Sequence, residues 1–147
     1  IDTIGTDHVA NQLKLKLGGD DVWGALAGFP GIGTSLPILL SEGVNKNRIN
    51  LNQLANLTST NSAKIFGLSG KGSLEIGYDA DITMIDLKKE EKVSPELFGG
   101  FSDYLVYDGW NLKGWPVKTI VRGTVVAEDF EVIGKPGYGN FVPRKLS

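Results

Sequence analysis

Apolar and polar positions change rhythm three times along the chain. Residues 1–7, IDTIGTD, put apolar or small residues on both faces of an extended segment, the pattern of a parallel strand buried on both sides. Residues 9–34 show no period. Their second half, GALAGFPGIGTS, is Gly-rich, and connections this long inside compact domains tend to be functional or mobile. Residues 35–67 take up helical spacing. SLPILLSEGV opens with Ser35 as N-cap and Pro37 in the first turn, where its missing N–H costs nothing. Leu51, Leu54 and Leu57 then recur at three-residue steps behind an Asn50 cap, one apolar stripe. TNSAKIFG predicts a short third helix, capped by Thr60 or Asn61 and stopped by Gly67.

From Gly70 onward the period shortens. DADITMIDL alternates around Ile82, Met84 and Ile85, and PVKTIVRGTVVAEDFEVIG predicts two strands joined at Arg122 and Gly123. Residues 135–147, KPGYGNFVPRKLS, hold two Pro and two Gly and predict an irregular tail. The chain divides accordingly into residues 1–69, 70–134 and 135–147. One strand is followed by helices and then by a set of short strands. A lone strand of the doubly buried type is an orphan, because its N–H and C=O groups need partners on both sides. The expectation is that these residues are the end of something larger.

Composition narrows the function classes. At 147 residues, 41% apolar and with a net charge of −2, the chain has the makings of one globular domain and no basic excess for nucleic acid. No apolar run approaches the ~20 residues of a membrane span. Cys is absent, which removes disulfides and thiolate metal sites and is compatible with a cytoplasmic location. The sequence has one His. A catalytic zinc site usually takes three protein ligands, mostly imidazole, so this chain cannot build one from its own nitrogen and sulfur donors. GLSGKGS fails as a phosphate loop, because Lys71 is followed by Gly72 rather than Ser or Thr. Tyr107, Trp110 and Trp115 are read as packing aromatics.

TIGTDHVA, LTSTNSAKIFGL, GYDADITMID and WPVKTIVRGTVVAEDFEVIGKPGYGNF, in that order, resemble the C-terminal third of a cyclic amidohydrolase of the D-hydantoinase and dihydropyrimidinase branch. The resemblance implies α/β plus β architecture: the last βα portion of a (β/α)8 barrel followed by strands of a small β-sandwich. It places the Thr6, Asp7, His8 segment at the end of the eighth barrel strand, where such barrels carry their active sites. Asp7 is then a metal ligand and the catalytic carboxylate beside two divalent metal ions, zinc being expected, whose other ligands lie outside these residues. A carboxylate touching both metal and water can take the attacking proton and hand it to the leaving nitrogen.

The alternative for Asp7 is a carboxylate capping the following helix or turn. His8 follows directly, and a period of two turns it to the opposite face as a packed, hydrogen-bonded residue. Dihydroorotases resemble this stretch but carry a second His four residues after the Asp, where Asn11 stands here. Hydantoinases place Asn-Gly before PG, with the backbone at the Asn position contacting the ring amide, and Glu after it. This chain has Ala27, Gly28 and Gly33, which leaves Ala27 and Gly28 as the substrate-binding candidates.

The resemblance implies C–N bond hydrolysis in hydantoin or dihydropyrimidine rings, with the isolated segment inactive. Its partners would be a small cyclic amide or imide and further copies of itself as a dimer or tetramer, the tail reaching a subunit interface, with no nucleic acid or membrane. The alternatives are a dihydroorotase or allantoinase type of amidohydrolase, a non-catalytic dihydropyrimidinase-like assembly protein, and an autonomous small domain without catalysis.

Overall fold

In the computed structural model, which describes residues 1–145, the chain builds one antiparallel sheet with a run of helical turns packed against it. The first short helix, α1 (Leu13–Lys16), lies within the long connection. Helix α2 (Ile32–Ile38) runs directly into a wider π turn, Leu39–Val44. A second helical run comprises α3 (Leu51–Ala55), a π turn over Asn56–Thr60, and α4 (Asn61–Ile65).

Two helical expectations need correction. Helix α2 starts at Ile32, three residues before Ser35, and Pro37 lies inside it. A proline there removes an i to i−4 bond, and just beyond it the ladder widens, with Asn45 N–H reaching Leu40 C=O at 2.8 Å. No break separates the second and third predicted helices, since Thr60 is itself helical at φ −58 and caps nothing. The other boundaries stand. Asn50 and Gln53 form a reciprocal capping box, and Gly67 ends α4 in a left-handed conformation.

Strands β1 (Ile82–Lys92), β2 (Asn111–Val121), β3 (Thr124–Glu128) and β4 (Glu131–Val132) pair in sequence order, all antiparallel. Arg122 and Gly123 make the predicted β2–β3 turn, both at positive φ, as a two-residue hairpin loop requires. Beyond Asp86 the β1–β2 register slips until Glu90 pairs with Lys113. The Asp86 carboxylate accepts the N–H groups of Lys88 and Lys89 across this bulge.

The core is small and sits where helices meet sheet. Val93, Leu112 and Trp115 are fully or almost fully buried, and Leu40 of the α2 extension is too. Trp115 stacks with Phe98 and meets Phe130 edge-on, while its indole N–H donates to Leu112 C=O at 2.9 Å. Trp115 thus fills the packing role expected of the aromatics; Trp110 is half exposed and touches Tyr107 edge-on.

Neither a barrel nor a two-sheet sandwich forms among the described residues. Residues 1–7, expected as a strand, are not laddered. Their backbone reaches the helices through Ile4 N–H to Leu57 C=O at 3.3 Å. A strand of this type exists only with neighbours on both sides, and the described residues supply none. The tail is irregular as expected, but it docks on its own chain. Tyr138 stacks under the Arg122 guanidinium, and Arg144 bridges to Leu68 and donates to Phe66 C=O. Leu146 and Ser147 lie outside the described residues.

Candidate active site around Asp7

Asp7 stands where the N-terminal segment meets the Gly-rich connection. His8 pairs with Phe29 in an isolated parallel bridge, and Val9 N–H donates to Phe29 C=O at 3.1 Å. Gly28 adopts φ +78, and a Cβ there would overlap the Val9 side chain, so both conformation and space demand glycine. Asp7 and Gly28 each precede a member of the bridged pair, His8 and Phe29, and Ala27 stands one residue before Gly28.

Asp7 itself has φ +47, the left-handed region that a residue with a Cβ enters at a cost. This interrupts the extended run, so strict alternation between Asp7 and His8 does not carry through. Its side chain is exposed. The capping alternative fails: α1 begins at Leu13, behind Gln12, and its first N–H is taken by Asp103 at 2.8 Å. Among the described residues, no ion pair or side-chain hydrogen bond holds the Asp7 carboxylate. It is a free acceptor.

His8 is hydrogen-bonded as expected but exposed rather than packed. Its Nδ1 accepts from Gly31 N–H at 3.1 Å and from Ile32 N–H at 3.3 Å. The departure at Gly33 has a steric reason: a Cβ there would run into the Phe98 ring, which comes from the turn at Pro95–Phe98. Where the resembled family carries Glu, this chain has given the space to an aromatic ring.

Sequence reasoning missed the second wall of the site. Tyr104 O–H donates to Asn11 Oδ1 at 2.7 Å, fixing a side chain that is only 3% exposed. Together with the Asp103 bond to Leu13, this ties the loop before β2 to the residues following Asp7. A Ser, Asp, Tyr run within a loop carries no periodic signal, so only the three-dimensional structure shows the tie.

Among the described residues, no three His, Cys, Asp or Glu side chains converge to hold a metal ion. A two-metal centre does not fit within them. No helix among these residues is long and apolar enough to cross a membrane.

Comparison with known proteins places this geometry. The pattern of the amidohydrolase family matches residues 1–126. The chain is 44% identical to an L-hydantoinase of Paenarthrobacter aurescens over 99% of its own length, and 41% identical to a dihydroorotase of Methanosphaera stadtmanae over 89%. It superimposes on the L-hydantoinase (dihydropyrimidinase) structure from Arthrobacter aurescens with a TM-score of 0.91 over 98% of the chain at 44% identity. A D-hydantoinase crystal structure gives 0.93 over 99% at 37% identity. In each of these structures the chain spans 32% of the matched protein.

Proposed function

The chain belongs to the amidohydrolase family, and from that premise we propose that it serves the hydrolytic opening of cyclic amides, of the hydantoin or dihydropyrimidine kind. The observation carrying the proposal is the free Asp7 carboxylate at the mouth of the Gly28 turn, in a chain 44% identical to an L-hydantoinase. Asp7 receives a proton as water adds to the ring carbonyl carbon. It returns that proton to the ring nitrogen as the C–N bond breaks, leaving a carboxylate and an open-chain amide or urea nitrogen. The backbone at exposed Ala27 and half-buried Gly28 offers polar groups to the ring amide. The two divalent ions that the resemblance implies, zinc by expectation, would supply Lewis acidity, with every ligand but Asp7 coming from outside these residues.

Asn11 favours a neutral ring over dihydroorotate. It carries no charge to meet a substrate carboxylate, and its side chain is buried, 3% exposed. With Asp7 as the one ligand the proposal draws from these residues, the 147 residues are expected to be inactive alone. A dimer or tetramer in the cytoplasm remains part of the proposal.

The test is ring opening by the protein encoded by the complete gene. Hydantoin, dihydrouracil, allantoin and dihydroorotate are offered in turn, with chromatography of the products. Opening of hydantoin or dihydrouracil is expected; no opening of any of the four rejects the proposal.

A further inference from the structure

The first amides of a helix have no carbonyl partner within the helix. In α2 the N-cap is Gly31, which has no side chain to offer. The partner comes from 23 residues upstream: His8 Nδ1 faces Gly31 N–H at 3.1 Å and Ile32 N–H at 3.3 Å. A ring nitrogen accepting two N–H groups carries no proton, so this imidazole is the Nε2–H tautomer. The same stretch is also gripped by Val9 N–H on Phe29 C=O. Between these bonds and Asp7 there is no intervening residue. The strained φ of Asp7 and the φ of Gly28 are thus set by one strap.

Resting on the reading of Asp7 as the catalytic carboxylate, we propose that His8 is a positioning residue whose imidazole clamps Gly31 and Ile32 and thereby holds the Ala27 and Gly28 loop in register with Asp7. His8 touches neither substrate nor reacting atoms in this role. It acts as a helix cap supplied by the catalytic segment, so that the start of α2 and the placement of Asp7 are one structural decision. The clamp also explains why the helix begins at Ile32 rather than at the Ser35 cap.

The chemistry of the acceptor makes the test specific. Asparagine sets its Oδ1 near the place of Nδ1, whereas glutamine carries its oxygen one bond further, toward the place of Nε2. In the protein encoded by the complete gene, His8→Ala, His8→Asn and His8→Gln are compared by hydrogen–deuterium exchange over residues 28–36. The same variants are compared by kcat and KM for hydantoin. With His8→Ala and His8→Gln, exchange at Gly31 and Ile32 rises about tenfold, the scale of losing such bonds. KM rises by a similar factor, with a smaller fall in kcat. His8→Asn restores both to within about threefold of the unaltered protein. Unchanged exchange at Gly31 and Ile32 in His8→Ala overturns the proposal, as does His8→Asn behaving no better than His8→Gln. If the unaltered protein opens no ring, the functional reading falls, while the exchange comparison still decides the clamp.

Discussion

Two tryptophans divide the molecule. Trp115, on β2, is 0% exposed and is sandwiched by Phe98 and Phe130, whereas Trp23, in the Gly-rich connection, is 92% exposed. The sheet region makes its own partners. Its strands follow one another, its turns sit in the left-handed conformations that tight hairpins need, and its aromatic side chains close on each other. The segment carrying Asp7 does the opposite. Ile1, Leu17, Val22, Trp23 and Ile32 are open, and the segment is held by a few backbone bonds, the His8 imidazole and side chains reaching in from Asn61, Asp103 and Tyr104. The sheet packs its large aromatics on itself, and Asp7 stands on a part that does not.

The comparison breaks most visibly at Trp115. Trp115→Ala removes the largest buried side chain and strands two rings. It is expected to cost about 3–5 kcal/mol in urea unfolding. A cost below ~1 kcal/mol would show that the sheet does not organise the chain.

A smaller effect comes from the Lys71 bridge, which joins Asp79 and Asp81 beneath the β2–β3 turn. The hydrogen bond from Lys71 holds the Asp81 carboxyl below its ordinary 3.8. The bonds to Asp79 and then Asp81 hold Lys71 above its ordinary 10.5. The Asp81 contribution is present above pH 3.8 and fades as pH falls through its lower folded value. That of Lys71 is present below 10.5 and fades as pH rises through its raised value. The urea midpoint should therefore be flat between those limits and fall outside them, by no more than about 1 kcal/mol for so solvated a cluster. Lys71→Met should flatten both shoulders.

The smallest effect sharpens the contrast. Trp23→Ser in the 147-residue chain should change stability by less than about 0.5 kcal/mol. The same substitution costing several times more in the complete gene product would reveal a surface that covers it.

The parts legible in the sequence were those whose causes are local. The Asn50 cap, the Gly67 stop, and the Arg122 and Gly123 turn need only neighbours within a few residues, and each formed where expected. Distant causes stayed hidden. The start of α2 depends on an imidazole 23 residues away. Strand β4 follows a turn in which Asp129 and Phe130 take positive φ, and Phe130 is no turn former; its ring is drawn onto Trp115. The extension of β1 runs through a Lys and Glu tract with no apolar rhythm, and only pairing with β2 reveals it. For the site, resemblance nominated Asp7, Ala27 and Gly28. The bridge between the residues that follow Asp7 and Gly28, and the reason for Gly33, came from the His8–Phe29 pairing and from Phe98.

The central claim is that Asp7 moves the proton in ring opening, and the most direct test is the rate of hydantoin hydrolysis by Asp7→Asn in the complete gene product. Asparagine keeps the shape and loses the basicity. A fall in kcat of about 10²- to 10⁴-fold is expected, with an unchanged thermal midpoint. A rate within a few-fold of the unaltered protein would contradict it.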